Sequence, residues 1–238
     1  MTELEAARER LAAVAERVRR AAVAAGRGAE EVRILLASKT QPAERVRTVL
    51  EAARSLGLPV LLGENRVQEL VAKGPALADL EPEWHLIGPL QSNKVNHALA
   101  WARAVESVAS LELAERIARR LAPGRGLDLF VQVNVSGEPT KSGVAPQEAV
   151  DLALAVAALE GPRLRGFMTI GAHTQDMAVV RAGFARLREV RDAVVASGAP
   201  GTGQAVELSM GMSGDLEAAV AEGATIVRLG TAVFGPRS

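Results

Sequence analysis

The sequence predicts a (β/α)8 barrel, the α/β fold also called a TIM barrel, in which eight parallel strands alternate with helices. Short apolar segments alternate with longer amphipathic segments along the whole chain. Several of the short segments are continuous apolar runs, which are typical of strands buried on both faces. Eight such units in a chain of 238 residues favour a closed barrel. An open, doubly wound sheet is the alternative.

The chain begins with a segment that predicts an additional helix ahead of the barrel. Within residues 3–25, Leu4, Leu11, Val14 and Val18 follow the spacing of one helix face. No strand precedes this helix, so it lies outside the repeat of strand and helix.

The remaining elements follow in order from their apolar patterns and from their start signals. The predicted strands are residues 32–38, 59–64, 83–88, 104–108, 127–135, 163–170, 205–210 and 225–230. The helices after them start at Pro42, near residues 65 and 92, at Ser110, at Pro146, near residue 176 and at Asp215. Proline suits a first helical turn, and serine can cap one. The pieces between are loop-sized, so we expect one domain over 1–238, with the leading helix in 1–26 and the barrel in 32–235.

Composition excludes several classes of function. The formal net charge is +0, so no basic surface for nucleic acid or for an anionic membrane is expected. Cysteine is absent, which excludes disulfides and thiolate metal sites, and we expect no metal site of another kind. The N-terminus is charged, unlike a leader sequence, and no apolar run reaches the roughly 18 residues of a membrane span. These features predict a cytoplasmic protein.

Polar and glycine residues follow the ends of the predicted strands. The carboxyl ends of barrel strands lie together at one end, and active sites of barrel enzymes are built there. The segments at these ends are Ser38–Thr40, Gly63–Arg66, Gly88–Lys94, Asn134 with Lys141–Gly143, Ser209–Asp215 and Arg228–Thr231. A ligand site at this end, the barrel mouth, is therefore predicted.

The loops after the last two strands favour a phosphate group. Barrel enzymes often bind phosphate with these two loops. The first loop, "SMGMSGD", offers the Ser213 hydroxyl and free backbone N–H groups at a helix start. The second offers Gly230, which lets the backbone approach closely, and the Thr231 hydroxyl. A helix cap and a turn would explain either loop alone, but the pair in adjacent loops favours an anion.

A lysine follows the first predicted strand in "ILLASKT". Lysine occurs only at Lys39, Lys73, Lys94 and Lys141, and arginine carries nearly all other positive charge. Only lysine can form an imine with an aldehyde. The first and eighth strands are neighbours in a closed barrel, so Lys39 and the phosphate loops together predict a phosphorylated aldehyde, pyridoxal 5′-phosphate (PLP), held as a Schiff base.

Six motifs in the same order resemble one known family. They are "ASKTQP" (37–42), "GENRVQE" (63–69), "WHLIGPLQSNKV" (84–95), "VNVSGEPTKSGV" (133–144), "LRGFMTI" (164–170) and "LSMGMSGDLEAAVAEGATIVRLGTAVFG" (208–235). Over nearly its whole length the chain resembles the PLP homeostasis proteins, which share their barrel with the N-terminal domain of bacterial alanine racemase. The resemblance implies a PLP-binding protein.

The resemblance also implies roles for individual residues. The implied cofactor-binding residues are Lys39, Asn65, Ser209, Ser213, Arg228, Gly230 and Thr231. Lys39 would form the Schiff base, and Arg228 resembles the arginine that faces the pyridine nitrogen in the racemase. The serines, Gly230 and Thr231 would contact the phosphate. Asn65 and Asn134 would lie beside the ring or at the mouth, although a turn would also explain an asparagine at either position.

The sequence provides little for catalysis by a bound PLP. Racemisation needs a base on each face of the substrate carbanion, and this chain contains no tyrosine and no cysteine. It also ends soon after the eighth strand, so we expect no second domain. We therefore predict a non-catalytic PLP binder. A weak PLP-dependent amino-acid racemase is the alternative, and a phosphosugar-type barrel enzyme without PLP is a third possibility.

The expected partners are PLP itself and PLP-dependent apo-enzymes that would receive it, and we expect a monomer. His85, inside the third strand, is expected to be a hydrogen-bonded core residue or a wall of the pocket. Lys94 and Lys141 are candidate electrostatic partners of a ligand or simple surface charges, and His173 is a weaker candidate at the mouth. Lys73 is interpreted as a helix-end lysine that needs no function.

Overall fold

A closed barrel of eight parallel strands forms the centre of the molecule, in a computed structural model that describes residues 1–138 and 140–235. The strands follow one another around the barrel in chain order. They are β1 (Arg33–Ala37), β2 (Val60–Glu64), β3 (Trp84–Leu86), β4 (Ala104–Val108), β5 (Asp128–Gln132), β6 (Arg163–Met168), β7 (Glu207–Ser209) and β8 (Ile226–Leu229). The predicted barrel is thus confirmed, and the open sheet is excluded.

Helices surround the barrel. In the described ranges they are α1 (Glu3–Ala24), α2 (Ala43–Ser55), α3 (Val67–Ala76), α4 (Val95–Leu99), α5 (Leu111–Arg120), α6 (Pro146–Ala157), α7 (Met177–Ala196), α8 (Leu216–Ala221) and α9 (Thr231–Phe234). Three short 3-10 turns supplement them, at Ala29–Glu31, Ala78–Leu80 and Ser92–Lys94. Pro146 is the first residue of α6, and the Ser110 hydroxyl accepts the Leu113 N–H at the start of α5, as the sequence predicts.

The extra helix α1 packs on the outside of the barrel, against α2, α8 and α9. Its N-terminus carries a capping box between Thr2 and Glu5. Leu11, Val14 and Val18 of its apolar face are buried, whereas Leu4 is exposed. Arg17 on its polar side donates to the Ser213 carbonyl at 2.8 Å and binds Glu217 at 2.6 Å. Helix α1 therefore supports the loop that follows β7.

The apolar core has two layers. The larger cluster lies between the sheet and the helices and includes the buried faces of α1, α2, α5 and α7. The smaller cluster has one or more members from most strands and fills the barrel interior: Leu35, Leu61, Ala104, Phe130, Met168 and Ile226, with Ile87 against them. The barrel interior is thus a packed apolar core and not an open channel. Any chemistry there would depend on the few polar side chains that lie among these residues.

The fifth strand is shorter than the sequence predicts. The expected strand covers residues 127–135, but the β5 ladder ends at Gln132. Beyond it the chain turns back on itself, since Asn134 N–H donates to the Val144 carbonyl at 2.8 Å and Val144 N–H donates to the Gln132 carbonyl at 2.9 Å. The apolar run continues because Val133 and Val135 are buried. Burial of residues beyond the end of β5 therefore gives the sequence the same apolar pattern as a longer strand.

None of the helices in the described part of the chain is both long enough and apolar enough to cross a membrane.

Candidate functional site

The carboxyl ends of β1 and β8 meet where the barrel closes. Leu36 is paired with Leu229, so the residues that follow the two strands emerge side by side. A Cβ atom added to Gly230 would lie 3.3 Å from the Ala37 carbonyl oxygen, which shows how closely the two backbones approach. The lysine loop and the last loop of the barrel are therefore neighbours.

Lys39 is exposed at this junction, between two residues that the protein holds firmly. Ser38 is fully buried, and its N–H donates to the Gly63 carbonyl at 3.0 Å. Thr40 has a φ of 65°, a left-handed conformation that is uncommon for a residue other than glycine. Its N–H donates to Glu69 Oε2 at 2.8 Å. The backbone on both sides of Lys39 is thus held by hydrogen bonds.

A buried lysine lies behind this loop. The Lys73 ammonium donates to the Ser38 carbonyl at 2.8 Å, to Glu64 Oε1 at 2.6 Å and to Glu69 Oε2 at 3.1 Å. The Ser38 hydroxyl also donates to Glu64 Oε1, at 2.7 Å. Lys73 lies in the last turn of α3, as the interpretation of a helix-end lysine expects, but it is not a surface charge, since only 6% of it is exposed. The signal in the sequence is weak, because a glutamate four residues before a lysine is also a common surface pattern.

The carboxyl groups in this cluster differ in their acidity. Burial raises the pKa of Glu64, and hydrogen bonds from Lys73 and Ser38 do not fully offset it. Partial burial also acts to raise the pKa of Glu69, but the Thr40 N–H and Lys73 outweigh it and lower that pKa below the usual value. Glu69 is therefore the more firmly ionised of the two.

Arg228 is buried inside the barrel at the end of β8. Its guanidinium donates to the Ser209 carbonyl at 2.7 Å, to the Ser209 hydroxyl at 2.9 Å and to the Thr169 carbonyl at 2.6 Å. Burial lowers the pKa of Arg228, while Glu106 and Asp215 act in the opposite direction. An arginine in a protein still keeps its proton, so a fixed positive charge lies below the mouth.

A chain of hydrogen bonds connects this arginine with the barrel interior. The Ser209 hydroxyl donates to Glu106 Oε2 at 2.5 Å, and His85 Nδ1 donates to Glu106 Oε1 at 2.6 Å. His85 Nε2 lies 3.3 Å from Glu83 Oε1. Burial acts to lower the pKa of His85, but the hydrogen bonds and charges of Glu106 and Glu83 raise it to about 9. His85 is thus a hydrogen-bonded core residue, as expected, and it is charged at neutral pH.

The position of Ser209 bears on its predicted phosphate contact. Its side chain is completely buried, and its hydroxyl is already used by Glu106 and Arg228. The hydroxyl therefore faces the barrel interior, and contact between Ser209 and a phosphate stays a prediction.

The two loops predicted to hold phosphate lie next to each other. The Arg228 N–H donates to the Gly211 carbonyl at 2.9 Å and so ties the loop after β7 to β8. Ser213 is half-buried in the first loop, Thr231 is exposed in the second, and Gly230 lies close to Ala37 at the end of β1. Phosphate binding by these three residues stays a prediction that this arrangement permits.

Asn65 and Asn134 have different surroundings. Asn65 follows β2 at the mouth, and its buried Oδ1 has no hydrogen-bond partner within residues 1–138 and 140–235. Asn134 instead closes its own loop: its amide donates to the Glu138 carbonyl at 2.9 Å, and its Oδ1 accepts from the Ser136 hydroxyl at 3.1 Å. Asn65 thus has a buried amide oxygen without a partner among the described residues, whereas Asn134 acts as a turn residue.

The other candidate side chains are placed as follows. Lys141 donates to the Gly171 carbonyl and to Glu138, each at 2.7 Å, so it links two mouth loops. His173 is exposed. Lys94 lines a cavity of about 600 Å³ between the loops after β2 and β3, together with Asn65. A larger cavity, of about 770 Å³, lies between the N-terminal ends of β3–β6, at the opposite end of the barrel from Lys39.

Comparison with known sequences gives the family. The sequence profile described as "Alanine racemase, N-terminal domain" matches residues 7–238. The pyridoxal phosphate homeostasis protein of Pseudomonas aeruginosa is 46% identical over 231 residues, which cover 96% of this chain and 95% of that protein. This chain belongs to the pyridoxal phosphate homeostasis protein family. Family members from Aquifex aeolicus and Escherichia coli K12 are 41% and 39% identical, and the alignments cover at least 95% of each chain.

Solved structures agree with this assignment. A protein of unknown function from Bifidobacterium adolescentis is 41% identical with a TM-score of 0.89, over 97% of this chain and 95% of that one. PipY of Synechococcus elongatus with PLP bound is 35% identical with a TM-score of 0.82, over 96% of this chain and 100% of PipY. Alanine racemase of Corynebacterium glutamicum, at 16% identity and a TM-score of 0.70 over 98% of this chain and 62% of that one, shares the fold with this homeostasis protein family.

Proposed function

We propose that this chain binds PLP at the barrel mouth as a Schiff base on Lys39 and that it serves intracellular PLP homeostasis. The observation that carries the proposal is the pairing of β1 with β8, which brings the end that carries Lys39 beside the end that carries Arg228 and Gly230. Membership of the family and the PLP-bound structure of the relative PipY support it.

The residues at the mouth fit PLP by their chemistry. Lys39 offers an exposed primary amine for an aldehyde. The hydroxyls of Ser213 and Thr231 and the backbone at Gly230 suit a phosphate at the start of short helices. The unpartnered Asn65 Oδ1 suits a donor beside the ring. We therefore assign these five residues to the cofactor.

Arg228 completes the assignment on the ring side. PLP supplies an electrophilic aldehyde and an electron-withdrawing pyridine ring. Arg228 has only donors and does not release its proton, so it would leave the pyridine nitrogen unprotonated and the ring a weak electron sink. Ser209, whose hydroxyl accepts from Arg228, would serve the site by orienting this arginine.

We propose binding without catalytic turnover. The chain has no tyrosine or cysteine to act as a second acid or base, and His85 is committed to Glu106 within the barrel. A weak PLP-dependent racemase, with a mouth lysine or histidine as second base, is the competing proposal. We further propose that the protein is a cytoplasmic monomer and that PLP-dependent apo-enzymes receive the cofactor. Residues 1–238 are proposed to form one domain, of which the last three residues lie outside the described ranges.

The test of cofactor binding is spectroscopic. The purified protein mixed with PLP should develop an imine absorbance band, and borohydride should fix one pyridoxyl group on the peptide that contains Lys39. The four lysines of the chain make peptide mapping decisive. Lys39→Arg keeps the positive charge but should abolish the band. A protein that stays colourless, or that is labelled equally at several lysines, would refute the assignment.

The racemase alternative has its own test. The PLP-loaded protein is incubated with single enantiomers of many amino acids in heavy water. We expect no exchange of the α-proton above the rate of free PLP. Exchange that disappears in Lys39→Ala would establish catalysis and would overturn the non-catalytic proposal.

A further inference from the structure

One buried cluster holds the backbone on both sides of Lys39. Before Lys39, the Ser38 carbonyl accepts from Lys73 Nζ, and the Ser38 hydroxyl donates to Glu64 Oε1. After Lys39, the Thr40 N–H donates to Glu69 Oε2. Lys73 in turn binds both carboxylates. The two residues adjacent to Lys39 are therefore connected through three charged side chains.

The hydrogen bonds of Lys73 leave little freedom in this cluster. An ammonium has three donors, and those of Lys73 meet Ser38, Glu64 and Glu69 within 3.1 Å. Burying a charge of this kind is costly unless it is paired with an opposite charge and hydrogen-bonded. A surface lysine on α3 would avoid this cost, so stability alone is a poor explanation for its burial.

The backbone at Thr40 gives a second, independent reason to connect the cluster with Lys39. A left-handed threonine is strained, and such strain persists where the surroundings fix it and is often found at functional sites. Here the Glu69 carboxylate receives the Thr40 N–H at 2.8 Å. The conformation that follows Lys39 is thus held by a half-buried side chain from a different element, α3.

We infer that Lys73, Glu64 and Glu69 form a positioning cluster that fixes the direction in which the Lys39 side chain leaves the barrel mouth. The inference rests on the proposed attachment of PLP to Lys39. Because Lys39 itself is exposed, its amine would otherwise sample many directions, and only a few of them would meet the aldehyde of a phosphate-anchored ligand. Holding both neighbouring peptide groups reduces that search.

The primary test uses Glu69→Ala, because this change removes the Thr40 contact from a partly exposed position and should leave the protein folded. Two quantities are measured. The rate of Schiff base formation is followed by stopped-flow absorbance, and the noncovalent affinity for PLP is measured in a Lys39→Ala background. Glu44→Ala is the matched control, since Glu44 is an exposed glutamate at the start of α2 in the same segment.

We expect Glu69→Ala to slow Schiff base formation by about tenfold, below the roughly 100-fold cost of a 1 Å misplacement. Noncovalent affinity should stay within about twofold of the parent, and the control should match the parent in both quantities. In the cofactor-free protein, the Thr40 amide should lose protection from hydrogen exchange. A loss confined to the covalent step would distinguish positioning from general damage to the site.

The double variant Lys73→Met/Glu64→Gln provides a second test. It removes both buried charges together, because Lys73→Met alone would leave a buried carboxylate without its cation. It should also slow the covalent step while PLP still binds noncovalently. The inference would be overturned by variants that form the Schiff base at the parent rate. It would also be overturned if the noncovalent affinity for PLP fell by the same factor as the rate of Schiff base formation. A parent that forms no Schiff base on Lys39 would instead refute the proposed function, and the inference with it.

Discussion

Two buried polar clusters adjoin the proposed site, one behind the loop after β1 and one inside the barrel, and they differ in their charges. The first, behind Lys39, surrounds one ammonium with two carboxylates, and burial raises the pKa of Glu64. The second, inside the barrel, sets Glu106 between His85 and the Ser209 hydroxyl that accepts from Arg228. Burial acts to raise the pKa of Glu106 too, but His85 and Arg228 lower it. The pKa of the buried carboxyl group is therefore raised beside one shared cation and lowered beside two.

The two clusters also differ in what they bind: one binds the main chain and the other binds a side chain. The first cluster binds backbone atoms on either side of Lys39, whose side chain is exposed. The second cluster fixes a side chain, Arg228, that is itself buried. On the proposed assignment, the covalent side of the site would be controlled through the main chain, and the ring side through a network of buried side chains.

The largest expected effect is the loss of PLP attachment without a loss of stability, and it tests whether the cluster behind Lys39 is independent of Lys39 itself. Lys39→Arg should abolish the imine band while the free energy of unfolding changes by less than about 0.5 kcal/mol, because Lys39 is exposed. Absorbance with PLP and urea unfolding check the two parts. A large loss of stability would show that Lys39 belongs to the buried cluster and is not merely held by it.

Breaking the interior network should cost stability instead. Glu106→Gln leaves the buried charge of His85 without its main partner and should lower the free energy of unfolding by about 3–5 kcal/mol. Arg228 should lose orientation, so PLP affinity should fall while some Schiff base still forms. Urea unfolding and PLP titration measure both effects. Glu189→Gln, an exposed site on α7, is the matched control.

The same network predicts a dependence of stability on pH. The folded protein raises the pKa of His85 from 6.5 to about 9, so it binds this proton more tightly than the unfolded chain. The resulting stability is complete below about pH 6.5 and is lost as pH rises through about 9. The loss should be on the order of 3–4 kcal/mol, since the pKa rises from 6.5 to about 9 and one pKa unit corresponds to about 1.4 kcal/mol.

Unfolding free energies measured between pH 6 and 10 check this prediction. His85→Gln should flatten the profile in that window. A parent whose stability is constant up to pH 9 would contradict a charged His85.

The smallest expected effect concerns the hydroxyl that joins Glu106 to Arg228. Ser209→Ala removes one donor to Glu106 and one acceptor from Arg228, but the Ser209 carbonyl still accepts from the arginine. We expect a loss of about 1–2 kcal/mol in unfolding free energy and a modest fall in PLP affinity. Loss of phosphate binding alone, tested with inorganic phosphate as a competitor, would instead support a direct phosphate contact.

The sequence predicts the barrel and one side of the site well. The alternation of apolar strands with helices gives the fold, and the barrel's topology then puts the residues after β1 and β8 together. These inferences depend on periodicity and connectivity, which one chain displays directly. The positions of Lys39 and Arg228 at strand ends follow from the same reasoning.

The two buried networks are harder to predict, because they depend on the direction of individual side chains. Glu106 interrupts the apolar segment "AVESV", yet nothing local indicates that it meets His85 and Ser209. Lys73 lies four residues after Glu69, the spacing of a surface ion pair. Its burial depends on its hydrogen bond to Glu64 at the end of β2, which the local sequence does not indicate. Ser209 shows the same limit, since its hydroxyl faces the interior network and not the loop.

The seam between β1 and β8 also has a consequence for biosynthesis. Leu36 and Leu229 pair at this seam although nearly the whole chain separates them, and contacts of such long range form late and slowly. During translation Lys39 leaves the ribosome before its neighbours across the seam are made, since β8 lies almost two hundred residues later in the chain. On the proposed assignment, a nascent chain would therefore expose the Lys39 amine before its pocket exists, and it would retain an aldehyde cofactor only after β8 has joined the barrel.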